Sequence, residues 1–241
     1  MAQPGGGVIS AATCWDQLQT PAAVRSNQLA ATVKGYREQA IYDGIPFREH
    51  GLFPPGDTLL MQLASEAGTY AFEKHLAGES SPYELLKNGS WTSGDEAAQA
   101  GFDLRLFYKE PVEGRGGPAS FGKQQSHGSV VGAARLGERA SIGNGYFMSA
   151  HGGAVESLLD EATAELGKME LSPMLSTIEA DFKIKKSIPL HTTLKIECKI
   201  RDIKGMRCWV DGHILDSSGN VLATCVAQLV DLQQLWAAQR P

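Results

Sequence analysis

The 241-residue chain lacks paired cysteines, basic blocks and long apolar runs, and each absence excludes a class of protein. Its four cysteines, Cys14, Cys198, Cys208 and Cys225, form no Cys-x-x-Cys pair. Three of them fall in strand-like segments and read as small buried apolar residues in a reducing compartment. The six histidines are scattered, whereas a structural zinc site needs clustered ligands. Lys and Arg total 22 against 27 Asp and Glu, a formal net charge of −5. No basic stretch of the kind that tracks phosphates occurs, so nucleic acid is not an expected partner. No apolar run approaches the roughly 18 residues needed to span a bilayer, so no transmembrane segment is expected. The opening "MAQPGGGVISAATCW" has no charged n-region of a secretory signal. The expected location is intracellular, in the cytoplasm or in an organelle matrix such as that of a mitochondrion or plastid.

What is present is ordinary for a globular protein: 42% hydrophobic and 20% charged residues, enough to bury a core without staples. Residues 1–100 read as a mostly helical extension. Within it, Pro54 and Pro55 precede Asp57, a good N-cap. Leu59, Leu60, Leu63, Ala67, Tyr70 and Ala71 then mark a helical stripe, with Gly78 placed to end it. From Phe102 the period changes. "FDLRLFYKE" and "GSVVGAARLGE" read as strands. A helix follows from about Gly152 to Lys168, and then four strand-like runs. Ile178, Ala180, Phe182 and Ile184 are expected on one face of the first run. Lys204-Gly205 and "DSSG" are turn signals that make the last three runs antiparallel neighbours. One helix beside an antiparallel sheet is an α+β architecture.

The chemistry is concentrated in "MSAHGGAVESLLDEATAEL", Met148 to Leu166. Val155, Leu158, Leu159, Ala162 and Leu166 form the apolar stripe of the helix. Asp160 is offset from that stripe by about one residue, so its carboxylate looks along the helix edge. At the helix start, backbone N–H groups have no intrahelical acceptor and the dipole is positive. Gly152 and Gly153 there let a ligand oxygen come close. Two readings stay open on this geometry. His151-Gly-Gly is either loop punctuation before a helix with a solvated acid, or an oxyanion site with the acid about two turns on. Glu156, four residues before Asp160, adds a like charge nearby.

The stretch "HGGAVESLLDEATA" resembles the signature of the hot-dog-fold acyl-CoA thioesterase superfamily, in its phenylacetate-pathway-like branch. There an acid follows the His by nine positions, as Asp160 follows His151. A second matching segment is "STIEADFKIKKSIPL", in which Thr177 falls at the family's Ser or Thr position, seventeen residues after Asp160. The resemblance covers about Phe102 to Leu232. It implies a curved antiparallel sheet around one long central helix at 101–234, and a homodimer or dimer of dimers with the site at the interface. It further implies Asp160 as nucleophile or general base, and Gly152 and Gly153 N–H groups polarising a thioester carbonyl. Thr177 would position the water or the acid, in the site of the partner chain, and His151 would order the helix entry. Relatives carry Asn or Gln about six residues before the His. Here that position is Gly145, and Asn144 is one step further away. Asn144, Glu156, Lys183 and Lys185 are the candidate substrate contacts, with Lys186 and Arg201 as further cations for CoA phosphates. The implied activity is hydrolysis of acyl-CoA to a free acid and CoA, with no metal or redox cofactor. A non-catalytic hot-dog subunit, acting as scaffold or acyl binder, is the alternative.

Overall fold

The structure is a computed structural model, and it describes residues 41–42, 51–72, 101–111, 127–143 and 148–238. In chain order these form β1 (Ile41–Tyr42), α1 (Thr58–Ser65), β2 (Thr69–Phe72), β3 (Phe102–Lys109) and β4 (Ser129–Leu136). A 3₁₀ turn (Glu138–Ala140), β5 (Ser141–Gly143), β6 (Met148–Ala150) and α2 (Gly152–Glu170) follow. The chain then runs through β7 (Leu175–Ile184), β8 (Leu194–Lys204), β9 (Arg207–Leu215), β10 (Val221–Asp231) and α3 (Leu232–Ala238). Eight strands make one antiparallel sheet in the order β1-β2-β3-β4-β8-β9-β10-β7, while β5 and β6 pair as a separate hairpin.

The long helix α2 lies against β3, β4, β7, β8, β9 and β10. Its stripe of Val155, Leu158, Leu159, Ala162 and Leu166 is buried among Leu104, Leu106, Ile196, Val210 and Ala227. An apolar face of this width is only stable when it is covered, and the sheet covers it. One position sets how close the two come. A Cβ on Gly212 of β9 would stand 2.9 Å from Thr163 Cγ2 and 3.3 Å from Leu159 Cδ2. Glycine there leaves room for the helix, between Cys198 and Cys225 on the adjacent strands. The antiparallel sheet thus packs one face on a single long helix.

Strand β3 is buried on both faces. Leu104, Leu106 and Tyr108 join the core under α2. Phe107, on the opposite face, packs with Leu60, Leu63, Ala71 and Ala133 in a second apolar cluster. Beside it, Arg105 pairs with Asp103 at 2.7 Å, both charges buried. The pair is not left bare: Leu52 N–H donates to Asp103 Oδ2 at 2.9 Å, and the Phe53 ring lies 5.7 Å from the guanidinium. Asp57 caps α1, accepting from Leu60 N–H at 3.1 Å as its residue type predicts, and also accepts from Thr193 Oγ1. Residues 51–65 thus form an outer layer on β3 and β4, and β2 extends the sheet beside β3.

Three expectations are corrected here. The helix after Asp57 ends at Ser65 rather than near Gly78, and Tyr70 and Ala71 belong to strand β2. Gly68, at φ +72, turns the chain, and pairing of Thr69–Ala71 with β3 outweighs the local helical spacing. Ile41, within the extension expected to be mostly helical, pairs as strand β1. The remainder of residues 1–100 lies outside the described residues. In β7 the expected row of Ile178, Ala180, Phe182 and Ile184 is broken by a β-bulge. Glu179 pairs with Gln228, but the next pair is Thr177 with Leu229, so Ile178 is the extra residue. Among the described residues, no helix is long and apolar enough to cross a membrane.

Candidate active site

The helix entry is built by its neighbours. Ala150 N–H donates to Ile188 O at 2.9 Å and His151 N–H to Ala140 O at 2.7 Å, which hold the chain where α2 begins. His151 is the N-cap, and its Nδ1 accepts from Gly153 N–H at 3.0 Å. An accepting Nδ1 places the neutral ring's proton on Nε2. The Gly153 N–H, expected to face a ligand oxygen, is therefore turned to the imidazole. Gly152 N–H meets no acceptor among the described residues and remains directed out of the helix start.

Asp160 and Thr177 come together. Thr177 Oγ1 donates to Asp160 Oδ1 at 2.7 Å, within one chain. The bulge at Ile178 matters for this contact. It brings Thr177 opposite Leu229, a core residue, and so onto the helix side of the sheet. Asp160 itself is half-buried at the margin of the apolar stripe. Beneath it, the Cys225 thiol is pushed up to about 12, chiefly by burial and next by the Asp160 carboxylate. Thr163 Oγ1, one turn on, bonds back to the carbonyls of Leu159 and Asp160 at 2.9 and 3.0 Å.

The two halves of the site are far apart on the helix. Gly152 and Asp160 differ by eight residues, a rise of about 12 Å. A carbonyl held by a donor and attacked by an acid needs the two within about 7 Å of each other. Within one chain, a carbonyl over Gly152 would lie beyond the reach of Asp160 on that spacing. The other expected substrate contacts are dispersed. Glu156 is exposed on the helix surface. Lys183 is paired with Asp181 at 2.7 Å on exposed β7, and Lys185 and Lys186 are exposed just beyond that strand. Arg201 is paired with Asp211 across β8 and β9. Asn144 lies outside the described residues.

The spacing rules did not show which backbone N–H His151 would accept, although the resemblance has His151 order the helix entry. They also missed a network at the far end of α2. Glu170 accepts from Tyr108 Oη at 2.6 Å and Gly128 N–H at 3.2 Å, and faces His127 Nδ1 at 3.2 Å. Among the described residues, no group of three or more His, Cys, Asp and Glu is placed to hold a metal.

Neither a protein-family profile nor a curated protein sequence matches the chain. Among solved structures it is similar to a hypothetical thioesterase from Streptococcus pneumoniae TIGR4, at 17% identity and a TM-score of 0.39 over 46% of this chain and 87% of that one. It is similar to the PaaI protein of the E. coli phenylacetic acid degradation operon, at 18% identity and a TM-score of 0.39 over 43% of this chain and 76% of that one. A Streptococcus mutans UA159 protein solved bound to acetyl CoA is similar at 21% identity and a TM-score of 0.37, over 49% of this chain and 90% of that one.

Proposed function

We propose that the chain is an acyl-CoA thioesterase, hydrolysing the thioester to a free acid and CoA, with a site shared between two copies. The observation that carries this is the Thr177 hydroxyl on the Asp160 carboxylate, 2.7 Å apart, on a helix whose first N–H group is unengaged. Thr177 holds Oδ1 and leaves Oδ2 to act. In one route Asp160 takes a proton from water as the water oxygen attacks the carbonyl carbon. In the other, Oδ2 attacks directly and water hydrolyses the resulting anhydride. In both, the carbon–sulfur bond breaks and the CoA thiolate leaves with its electron pair. Gly152 N–H of the second copy supports the carbonyl oxygen as it gains charge, which supplies what the roughly 12 Å within one chain denies. In this reading the exposed Lys185 and Lys186 offer cations to CoA phosphates. The catalytic fold occupies 101–234, with 51–65 as its outer layer, and the smallest active unit is a homodimer.

The test is Asp160→Asn in the full chain, assayed by release of CoA from a panel of acyl-CoAs. Loss of an acid that contacts the reacting atoms should lower kcat by at least about 100-fold. Turnover equal to the unmodified protein, with the fold intact, would refute the reading.

A further inference from the structure

The loop of residues 185–193, between β7 and β8, supports the entry of α2 and contains a strained corner. His191 lies at φ +55, the only non-glycine residue with a positive φ among the described residues. A side chain disfavours that conformation, so it persists only where neighbours hold it. Two bonds do so. His191 N–H donates to Leu136 O at 2.7 Å, and its carbonyl accepts from Arg135 Nη2 at 2.5 Å. Three residues before the corner, the carbonyl of the buried Ile188 accepts Ala150 N–H at 2.9 Å, one step ahead of the N-cap His151.

Arg135 is itself held from outside the sheet. Ala134 pairs with Leu194, which sets Arg135 and Thr193 side by side at the end of the β4–β8 ladder. Ala133 joins the outer cluster with α1 and Ala134 joins the core under α2, so alternation puts Arg135 on the α1 side. There its Nη1 donates to Thr193 Oγ1 at 3.1 Å, and Thr193 Oγ1 donates to Asp57 Oδ2 at 2.5 Å. A hydroxyl gives one proton and accepts on its lone pairs, so Thr193 links the cation to the buried carboxylate. Asp57 is fixed in turn by Leu60 N–H, as the cap of α1. Arg135 Nε finds no partner among the described residues, so the terminal nitrogens aim the guanidinium.

We propose that Asp57, Thr193 and Arg135 are positioning residues for the helix entry: through them the outer layer keeps His191 in its left-handed corner and so sets where Gly152 N–H stands. The catalytic consequence rests on the thioesterase reading, whereas the coupling of outer layer to helix entry does not. When Arg135 lets go, His191 relaxes to a negative φ. The chain is then redirected at the corner, Ile188 O leaves Ala150 N–H, and the start of α2 loosens. Loss of the Thr193 hydroxyl leaves the Asp57 cap of α1 untouched, so the two roles of Asp57 are separable. Glycine at 191 takes a positive φ without strain and makes the corner independent of Arg135.

Thr193→Val removes both hydroxyl bonds and is compared, in the full chain, with Thr193→Ser, His191→Gly and the double variant His191→Gly with Thr193→Val. Amide hydrogen exchange at Ala150 is measured beside kcat and KM for CoA release from a panel of acyl-CoAs. Thr193→Val should speed exchange at Ala150 about tenfold and lower kcat by a similar factor, with KM changed less than about twofold. Thr193→Ser should restore both, and in the His191→Gly background the valine should change either by less than about twofold. Arg135→Met frees the corner from the other side; it should match Thr193→Val and stands in where that variant does not fold. Unchanged exchange at Ala150 in Thr193→Val or its stand-in would overturn the coupling. Equal losses from the valine with histidine or glycine at 191 would also overturn it. Faster exchange with unchanged kcat would overturn the positioning role. Faster exchange alongside an unmodified protein that hydrolyses no acyl-CoA would refute the thioesterase reading and uphold the coupling.

Discussion

Replacing Thr177 with valine removes one hydroxyl and little else, so it isolates the contact on which the site depends. Valine keeps the branched shape that suits the strand, but it cannot donate to Asp160 Oδ1. A hydrogen bond to a charged group is worth about 1.5–3 kcal/mol, and this one is only partly buried, so the lower half of that range applies. At about 1.4 kcal/mol per tenfold, the expected loss in kcat/KM is about 10- to 40-fold. The same change should cost folding stability about 1 kcal/mol, measured by urea unfolding, which leaves the protein folded in the assay. Thr177→Ser restores the hydroxyl and should recover most of the rate. The assay is steady-state release of CoA from the best acyl-CoA of a panel. If the valine variant turns over within twofold of the parent, Thr177 does not orient Asp160, whatever the distance between them.

Other consequences concern packing and pH. Gly212→Ala places a methyl 2.9 Å from Thr163 Cγ2, so α2 must shift or Thr163 must rotate. Destabilisation of about 1–3 kcal/mol is expected, read as a lower urea midpoint with an unchanged slope. Burial pushes the Cys208 thiol up to about 12, and burial with the neighbouring Asp160, Asp181 and Asp211 pushes Cys225 to about 12, from an ordinary 9.0. The folded state therefore keeps these thiols protonated while the unfolded chain ionises. Their contribution to stability is intact below pH 9 and is lost as the pH rises from 9 toward 12. Thermal melting should fall across that window, and Cys208→Ala with Cys225→Ala should flatten the fall; an unchanged slope would refute it.

Much of the core was legible because its signals are local. The stripe from Val155 to Leu166 is periodic, Asp57 is a cap by residue type, and Gly205 and Gly219 take the positive φ that tight turns require. The nine-residue step from His151 to Asp160 was readable as well, although not its consequence. Tyr70 and Ala71 fit a helical stripe as well as they fit a strand, and only β3, some forty residues later in the chain, made them a strand. Ile178 fitted the alternation of its strand, but no local rule announces a bulge, which depends on the register with β10.

The sequence by itself determined the residue types, the helix with its acid, the strand runs and the turns, because these depend on contacts within a few positions. Tertiary structure decided what those residues meet. It brought Thr177 across seventeen positions onto Asp160, turned Gly153 toward His151, and laid residues 51–65 over the outside of β3 and β4. These are packing outcomes between elements distant in the chain, where register and burial are settled by the whole sheet rather than by any one strand.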